Sequence, residues 1–183
     1  ARYFHESYHI PIFDPNYVFT AMWKSAQKMV IEDASFTHFW NVSGDNTPSA
    51  TALQMLIEDD KDVVGFPCFH RFATMPYTNI QDWSNTHISR PYLLYEEMLE
   101  EVKRQNNPVI NVDGLSFACI LLKRHVIEKI SFDYRKDCID LDFSIVKSIR
   151  EQGFKIYADT REIVGHAEPD GSIIDYDYWR KIK

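Results

Sequence analysis

Four side chains capable of acid-base or metal chemistry stand at the ends of apolar segments. Asp45 follows the aromatic and β-branched run 37–42, Asp140 and Asp142 open a helical pattern, and His166 closes a short apolar stretch. Carboxylates and imidazoles bind divalent cations and serve as general bases. Residues so far apart in the chain can meet where neighbouring strands end. Their order therefore indicates one metal-assisted or acid-base site.

Each of these residues also has a purely structural interpretation. Asp45, Asn46 and Thr47 can simply form the turn before a helix. Asp140 stands where a helix-capping carboxylate is expected, and a single histidine such as His166 is more often a hydrogen-bonded structural residue than a ligand. Taken one at a time, these interpretations are favoured, and only the order of the residues along the chain supports a site.

The first third of the chain alternates strands and helices. The pattern predicts strands over 8–13, 37–42 and 62–67, and helices over 17–31 and 49–57. Proline opens the first helix, and the second places Ala52, Leu53, Leu56 and Ile57 on one face. Strand and helix in alternation predict an α/β fold, a three-layer α/β/α sandwich with a mostly parallel central sheet and right-handed crossovers.

The remaining chain carries the other candidate residues. Its pattern predicts strands over 109–112, 117–122, 154–158 and 162–165, and helices over 92–103, 123–130 and 140–152. Residues 68–91 mix aromatic and polar side chains without sustained period, which favours either a loop held over the site or a packing insertion. Residues 170–183 are predicted to form a surface tail or lid.

Composition excludes several classes of protein. The chain has 183 residues, 45% of them hydrophobic, which fits one domain, 1–183, with a substantial core. A net charge of −7 disfavours nucleic acid as a partner. No apolar run is long enough for a transmembrane segment and the first residues lack a signal peptide's pattern, so we expect a soluble, cytoplasmic protein. Cys68, Cys119 and Cys138 lack metal-ligand spacing, which predicts reduced core thiols, with one disulfide as the alternative.

Three segments together resemble a known family, the inverting GT-A fold glycosyltransferases that use nucleotide sugars. THFWNVSGDNTPSATALQMLIEDDKDVVG resembles that family's strand ending in Asp-x-Asp, with the proline, helix and strand that follow. DGLSFACILLKRHVIEKI resembles its acceptor-side segment, and CIDLDFSIVKSIREQGFKIYADTREIVGH resembles its acidic helix start and terminal histidine. The resemblance covers about residues 37–166, with the three segments in the family's order.

The resemblance implies a role for several residues. Asp45 matches the carboxylate that binds the Mn²⁺ or Mg²⁺ holding the nucleotide diphosphate, and His166 matches a histidine that completes the metal shell. Asp140 matches the catalytic base, with Asp142 beside it in the catalytic set. Ser43 replaces the first carboxylate of the pair, and Asn46 is a substitute ligand on the donor side.

The resemblance also implies substrates. Gly114 and Ser116 would line the acceptor side, about 105–166, and the donor and metal would lie on the side formed by about 1–67. The donor would be a nucleotide-diphosphate sugar and the acceptor a glycan, protein or lipid. The family usually has two strand-helix units before its Asp-x-Asp strand, whereas this chain has room for one. We therefore expect a small member lacking the usual first unit, in the host cytoplasm if the source is a virus.

Three alternatives remain at this point. The first is a binding protein on the same scaffold that has lost catalysis. Ser43 in place of a carboxylate favours it, whereas the presence of Asp45, Asp140 and His166 together argues against it. A sugar-nucleotide pyrophosphorylase should carry a glycine-rich basic loop after its first strand, which is missing here. A structural protein of a larger assembly is suggested only by the aromatic content and the loop 69–91.

Overall fold

The computed structural model describes residues 15–70, 75–83 and 92–182. Its helices are α1 Pro15–Glu32, α2 Ala52–Glu58, α3 Tyr95–Gln105, α4 Arg124–Ile127, α5 Leu141–Glu151 and α6 Tyr176–Ile182. Its strands are β1 His38–Val42, β2 Asn46–Thr47, β3 Val63–Gly65, β4 Tyr77–Gln81, β5 Tyr92–Leu94, β6 Val109–Val112, β7 Gly114–Leu115, β8 Cys119–Lys123, β9 Ile156–Asp159, β10 Gly165–Ala167 and β11 Ile173–Ile174. The strand predicted over 8–13 lies outside the described residues.

The main sheet is mixed, which corrects the prediction of a mostly parallel, Rossmann-like GT-A sandwich. Its order is β1-β8-β3-β9-β6, and only β3 and β9 pair in parallel. β1 and β3 flank β8, and both run antiparallel to it. The strand-helix-strand pattern of β1, α2 and β3 correctly gives two strands of the same direction. It does not reveal that a strand from much later in the chain separates them.

Two small antiparallel sheets accompany the main sheet among the described residues. One has the order β11-β10-β2, and the other has the order β5-β4-β7. In the first, His166 on β10 pairs with Asn46 on β2, and Gly165 pairs with Thr47. This short pairing joins the turn after β1 to a strand near the C-terminal end of the chain.

The main sheet buries apolar side chains on both faces. Along β8, Ile120 and Leu122 enter the larger core under α1 and α5, whereas Cys119 and Leu121 enter a smaller core under α2. Successive side chains of a strand point to opposite faces of the sheet, so this alternation is expected where helices cover both faces. On α2 the predicted apolar face holds for Ala52 and Leu56. Ile57 is predicted on the same face, but its side chain is 48% exposed, because α2 buries only the narrow strip of its surface that carries Ala52 and Leu56.

Residues 170–182 are part of the fold, so the predicted surface tail is wrong. β11 pairs with β10, and Trp179 on α6 is 8% exposed against Phe69. The buried ring of Trp179 anchors this segment, because burial of a large aromatic side chain removes much apolar surface from water.

All three cysteines are free, as predicted. Cys68 and Cys119 are buried, whereas Cys138 is only partly buried and is not a core thiol. Within the described residues, no helix combines the length and the apolar character that a membrane crossing needs.

Candidate functional site

A cavity of about 360 Å³ opens where the turn after β1, β10 and the start of α5 come together. Most of the predicted site residues line it: Ser43, Asp45, Asn46, Ser116, Asp140, Asp142 and His166. Gly114 does not line it. Residues from four separate segments of the chain are thus brought to one cavity.

Asp45 and His166 are in direct contact. His166 Nε2 lies 3.2 Å from Asp45 Oδ2, and its other ring nitrogen, Nδ1, lies 3.1 Å from the carbonyl oxygen of Phe69. The backbone N–H of Ala167 donates to the carbonyl oxygen of Asp45 at 2.7 Å. The pairing of β2 with β10 therefore fixes both side chains at one wall of the cavity.

The pair has the features of a partial cation site. A metal-binding histidine commonly donates its second ring N–H to a backbone carbonyl, as the Phe69 carbonyl would allow for His166. The described residues offer no cluster of three or more histidine, cysteine or acidic side chains for a metal. Mg²⁺ usually takes one or two protein ligands and completes its shell with phosphate oxygens and water. Asp45 and His166 therefore fit a cation shared with a phosphorylated ligand.

Asp140 caps α5 and also faces the cavity. Its Oδ1 accepts a hydrogen bond from the backbone N–H of Phe143 at 2.9 Å, so the structural interpretation of this residue is correct. That bond occupies one carboxylate oxygen at the helix N-terminus, where a negative charge is favourable.

Asp142, in the first turn of the same helix, is the unusual carboxyl group of the cavity. Burial, and after it the negative charge of Asp140, raise the pKa of Asp142 to about 7, and a hydrogen bond from the backbone N–H of Phe117 at 3.2 Å opposes that rise. Asp142 therefore changes charge near neutral pH.

The other predicted site residues, Ser43, Ser116 and Gly114, differ in whether they reach the cavity. Ser43 lines the cavity, and its backbone N–H donates to the carbonyl oxygen of Ala118 at 2.8 Å, which anchors the turn. Ser116 is 8% exposed and lies at the wall beside Asn79. Gly114 is packed instead: a Cβ there would lie 2.7 Å from Val146 Cγ1. Gly114 therefore allows close packing of β7 on α5 rather than lining an acceptor site.

Sequence reasoning missed several lining residues. Phe19 and Trp23 come from α1, which the pattern identifies only as an unusually bulky helix packed on the sheet. His70 and Asn79 come from the aperiodic segment 68–91, in which no single residue stands out. Burial, and secondarily the charge of His166, lower the pKa of His70 to about 4. Spacing could not have revealed these residues, because their convergence on one cavity depends on the tertiary packing of α1, β4 and the segment before β4.

Comparisons with known proteins support the fold alone. No family model matches the chain, and no curated protein matches it. Among solved structures, the chain is similar to A197 from STIV, with a TM-score of 0.53 and 13% identity, over 85% of this chain and 74% of that chain. Likeness at this identity indicates a shared fold and leaves the activity open.

Proposed function

We propose that the protein is a glycosyltransferase that moves a sugar from a nucleotide-diphosphate sugar to an acceptor hydroxyl with inversion, assisted by a divalent metal. What supports the proposal is that Asp45, His166 and the Asp140–Asp142 pair line one cavity. The proposal rests on this site and not on the sheet, whose topology differs from the one that the resemblance implies.

Asp45 and His166 would hold Mn²⁺ or Mg²⁺ together with the diphosphate of the donor. When bound, such a cation offsets the negative charge that develops on the departing diphosphate. Ser43, at the same wall, would contact the diphosphate through its hydroxyl. The residues on this side of the cavity therefore bind and orient the donor.

Asp140 would accept the proton of the acceptor hydroxyl. The acceptor oxygen forms a bond to the anomeric carbon from the face opposite the diphosphate, the bond from that carbon to the diphosphate oxygen breaks, and the proton passes to the Asp140 carboxylate. Asp142, once ionised, would place a second negative charge in the cavity, which favours the positive charge that develops at the anomeric carbon as its bond to the diphosphate breaks. Ser116 would lie on the acceptor side.

The acceptor would be a glycan, a protein or a lipid, and the reaction would take place in the cytoplasm. These assignments follow from the resemblance, and the cavity itself does not distinguish the three acceptors. Nucleic acid is a poor candidate because the chain carries 27 acidic residues against 20 Lys and Arg.

The first experiment is calorimetric titration of the protein with uridine and guanosine diphosphate sugars, each with Mn²⁺, with Mg²⁺ and with chelator. We expect one donor to bind and the chelator to weaken its binding at least tenfold. Equal binding of that donor in metal and in chelator would contradict the metal-assisted proposal. A mixture of nucleoside monophosphates serves as the control for binding that does not need a diphosphate.

A second candidate is a binding protein that holds the same donor without transferring its sugar. It is favoured by Ser43, which replaces a carboxylate, and by the small number of metal ligands in the described residues. The two candidates separate in a single assay, since only a transferase releases free nucleoside diphosphate from the bound donor when acceptors are added.

A further inference from the structure

A group of buried polar side chains, several of whose atoms have no hydrogen-bond partner among the described residues, lies in the cavity around Cys68. The backbone N–H of Cys68 donates to Asn79 Oδ1, and the backbone N–H of Asn79 donates to the Cys68 carbonyl oxygen, both at 2.9 Å. The Cys68 thiol lies beside the Asn46 amide. His70 follows Cys68 by two residues in an extended segment, and so lies on the same side of it. We call Asn46, His70 and Asn79 the polar recess.

The recess has more hydrogen-bonding capacity than the protein uses. Asn46 is 9% exposed and Asn79 is 2% exposed. Both polar side-chain atoms of Asn46, the Nδ2 of Asn79 and the Nε2 of His70 are buried without a hydrogen-bond partner among the described residues. Leaving such atoms unpaired destabilises a fold, so native structures contain few of them. Several in one cavity provide hydrogen-bonding positions that water fills and that the polar groups of a ligand can take over.

The chemistry of the recess selects among ligand groups. Amide nitrogens donate hydrogen bonds and the amide oxygen of Asn46 accepts them, which suits hydroxyl groups because a hydroxyl both donates and accepts. A phosphate or carboxylate only accepts. The described lining of the cavity contains three aspartates, Asp45, Asp140 and Asp142, and no Lys or Arg. An additional anionic group would therefore be repelled.

We infer that the polar recess binds the hydroxyl groups of an uncharged sugar, and so selects a neutral sugar over an acidic one as the transferred group. This inference rests on the proposed function, because it assumes that a sugar nucleotide enters the cavity. The diphosphate lies at Asp45 and His166, and the sugar extends to Asn46, His70 and Asn79. The recess decides which sugar is bound, whereas the carboxylates carry out the transfer.

The test compares donors that differ by one carboxylate. Uridine diphosphate glucose and uridine diphosphate glucuronate form one pair, and guanosine diphosphate mannose and guanosine diphosphate mannuronate form another. Affinities are measured by calorimetry with Mn²⁺, beside free uridine and guanosine diphosphate. We expect the neutral member of one pair to bind at least tenfold more tightly than its acidic partner and than the free diphosphate.

The outcomes separate the two proposals. If neither free diphosphate nor any donor binds, the proposed function fails and this inference falls with it. If a diphosphate binds and its acidic sugar donor binds as tightly as the neutral one, only this inference is overturned.

Substitution of Asn46 gives a second, independent measurement. Asn46→Leu should lower the affinity for the neutral donor about tenfold, leave the affinity for the free diphosphate unchanged, and keep the Tm close to that of wild type, because the Cys68 thiol beside the amide is a weak hydrogen-bonding group. An equal loss of affinity for the free diphosphate would assign Asn46 to the diphosphate instead, and an unchanged donor affinity would also overturn the inference.

Two further variants test whether the effect of Asn46→Leu is specific to the polar recess. Gln81 is a matched control, since it is 1% exposed and its Nε2 is also unpartnered, but it does not line this cavity. Gln81→Leu should leave donor affinity unchanged, and a loss equal to that of Asn46→Leu would contradict a specific recess. If Asn46→Leu does not fold, His70→Leu should show the same tenfold loss for the neutral donor, and its absence would overturn the inference.

Discussion

His166 Nε2 lies 3.2 Å from Asp45 Oδ2, although the two residues are 121 positions apart in the chain. The contact is held by the short antiparallel pairing of β2 with β10, in which His166 faces Asn46. The sequence predicts a meeting of these residues at the ends of neighbouring parallel strands. The structure brings them together by a different route, a small sheet beside the main one.

Replacement of Asp45 tests the metal assignment. Asp45→Asn keeps the size of the side chain and removes its charge, so the affinity for a donor in Mn²⁺ should fall at least tenfold and should no longer respond to chelator. Calorimetric titration with and without chelator measures both effects. Asp62→Asn, the same change at a residue that does not line the cavity, is the control and should behave as wild type. A chelator response that persists in Asp45→Asn would remove Asp45 from the metal site.

Two replacements of Asp140 separate its roles as cap and base. Asparagine caps helices about as well as aspartate, so Asp140→Asn should keep the Tm close to that of wild type while transfer is lost. Asp140→Ala also loses the hydrogen bond from Phe143 and should lower the free energy of unfolding by about 1 kcal/mol. Thermal unfolding and release of nucleoside diphosphate are measured on both variants. Full transfer by Asp140→Asn would leave Asp140 as a cap only.

The pH dependence of transfer should report the ionisation of Asp142. Its pKa is about 7, and its ionised form adds a negative charge that favours the positive charge developing at the anomeric carbon, so the rate should rise with pH and level off above neutrality. Asp142→Asn should keep part of the activity and lose the midpoint near pH 7. Rates from pH 5 to 9 at saturating donor provide the test. A midpoint unchanged in Asp142→Asn would assign the ionisation to another group.

Asp142→Asn should also change stability in a pH-dependent way. The folded pKa of Asp142, about 7, lies above the ordinary value of an aspartate, about 4, so the folded state binds more protons and stability falls as pH rises from about 4 to 7. The variant should therefore match wild type near pH 4 and be more stable above pH 7, by on the order of 2 kcal/mol. Denaturant unfolding across this range measures the difference, and an advantage that is constant with pH would contradict it.

The raised pKa of Asp59 does not affect this comparison of wild type with Asp142→Asn. Burial, and after it the charge of Asp159, raise the pKa of Asp59 to about 6, so it gives a slope of the same sign between about pH 4 and 6. Because Asp59 is present in both proteins, its contribution cancels in the difference.

Local sequence patterns predicted most elements that have a clear period or a terminal signal. α1 begins at Pro15, and α5 begins after Asp140, as the proline and the capping aspartate indicate. The segment Cys119–Lys123 is a buried strand, as its apolar run suggests. The order of the strands was not predictable in this way, because pairing between β1 and β8 depends on contacts between distant segments that no local period records.

The candidate residues were recognisable only where a local signal marked them. Asp45 and His166 stand at ends of apolar segments, whereas Asn79 and His70 lie in an aperiodic stretch and owe their place in the cavity to tertiary packing. Boundaries also shifted: the predicted helix from residue 92 begins at Tyr95, because β5 takes the preceding residues into a small sheet. Short strands of two or three residues leave almost no pattern to detect.

Gly114 offers the last test, since the resemblance implies an acceptor residue and the packing indicates a structural one. Gly114→Ala places a Cβ 2.7 Å from Val146 Cγ1, so the free energy of unfolding should fall by about 1–3 kcal/mol. Gly44→Ala is the matched control, because a Cβ there meets nothing within 4 Å, and its stability should stay within about 0.5 kcal/mol of wild type. Denaturant unfolding measures both. If Gly114→Ala is as stable as wild type and yet loses transfer, Gly114 contacts the acceptor after all.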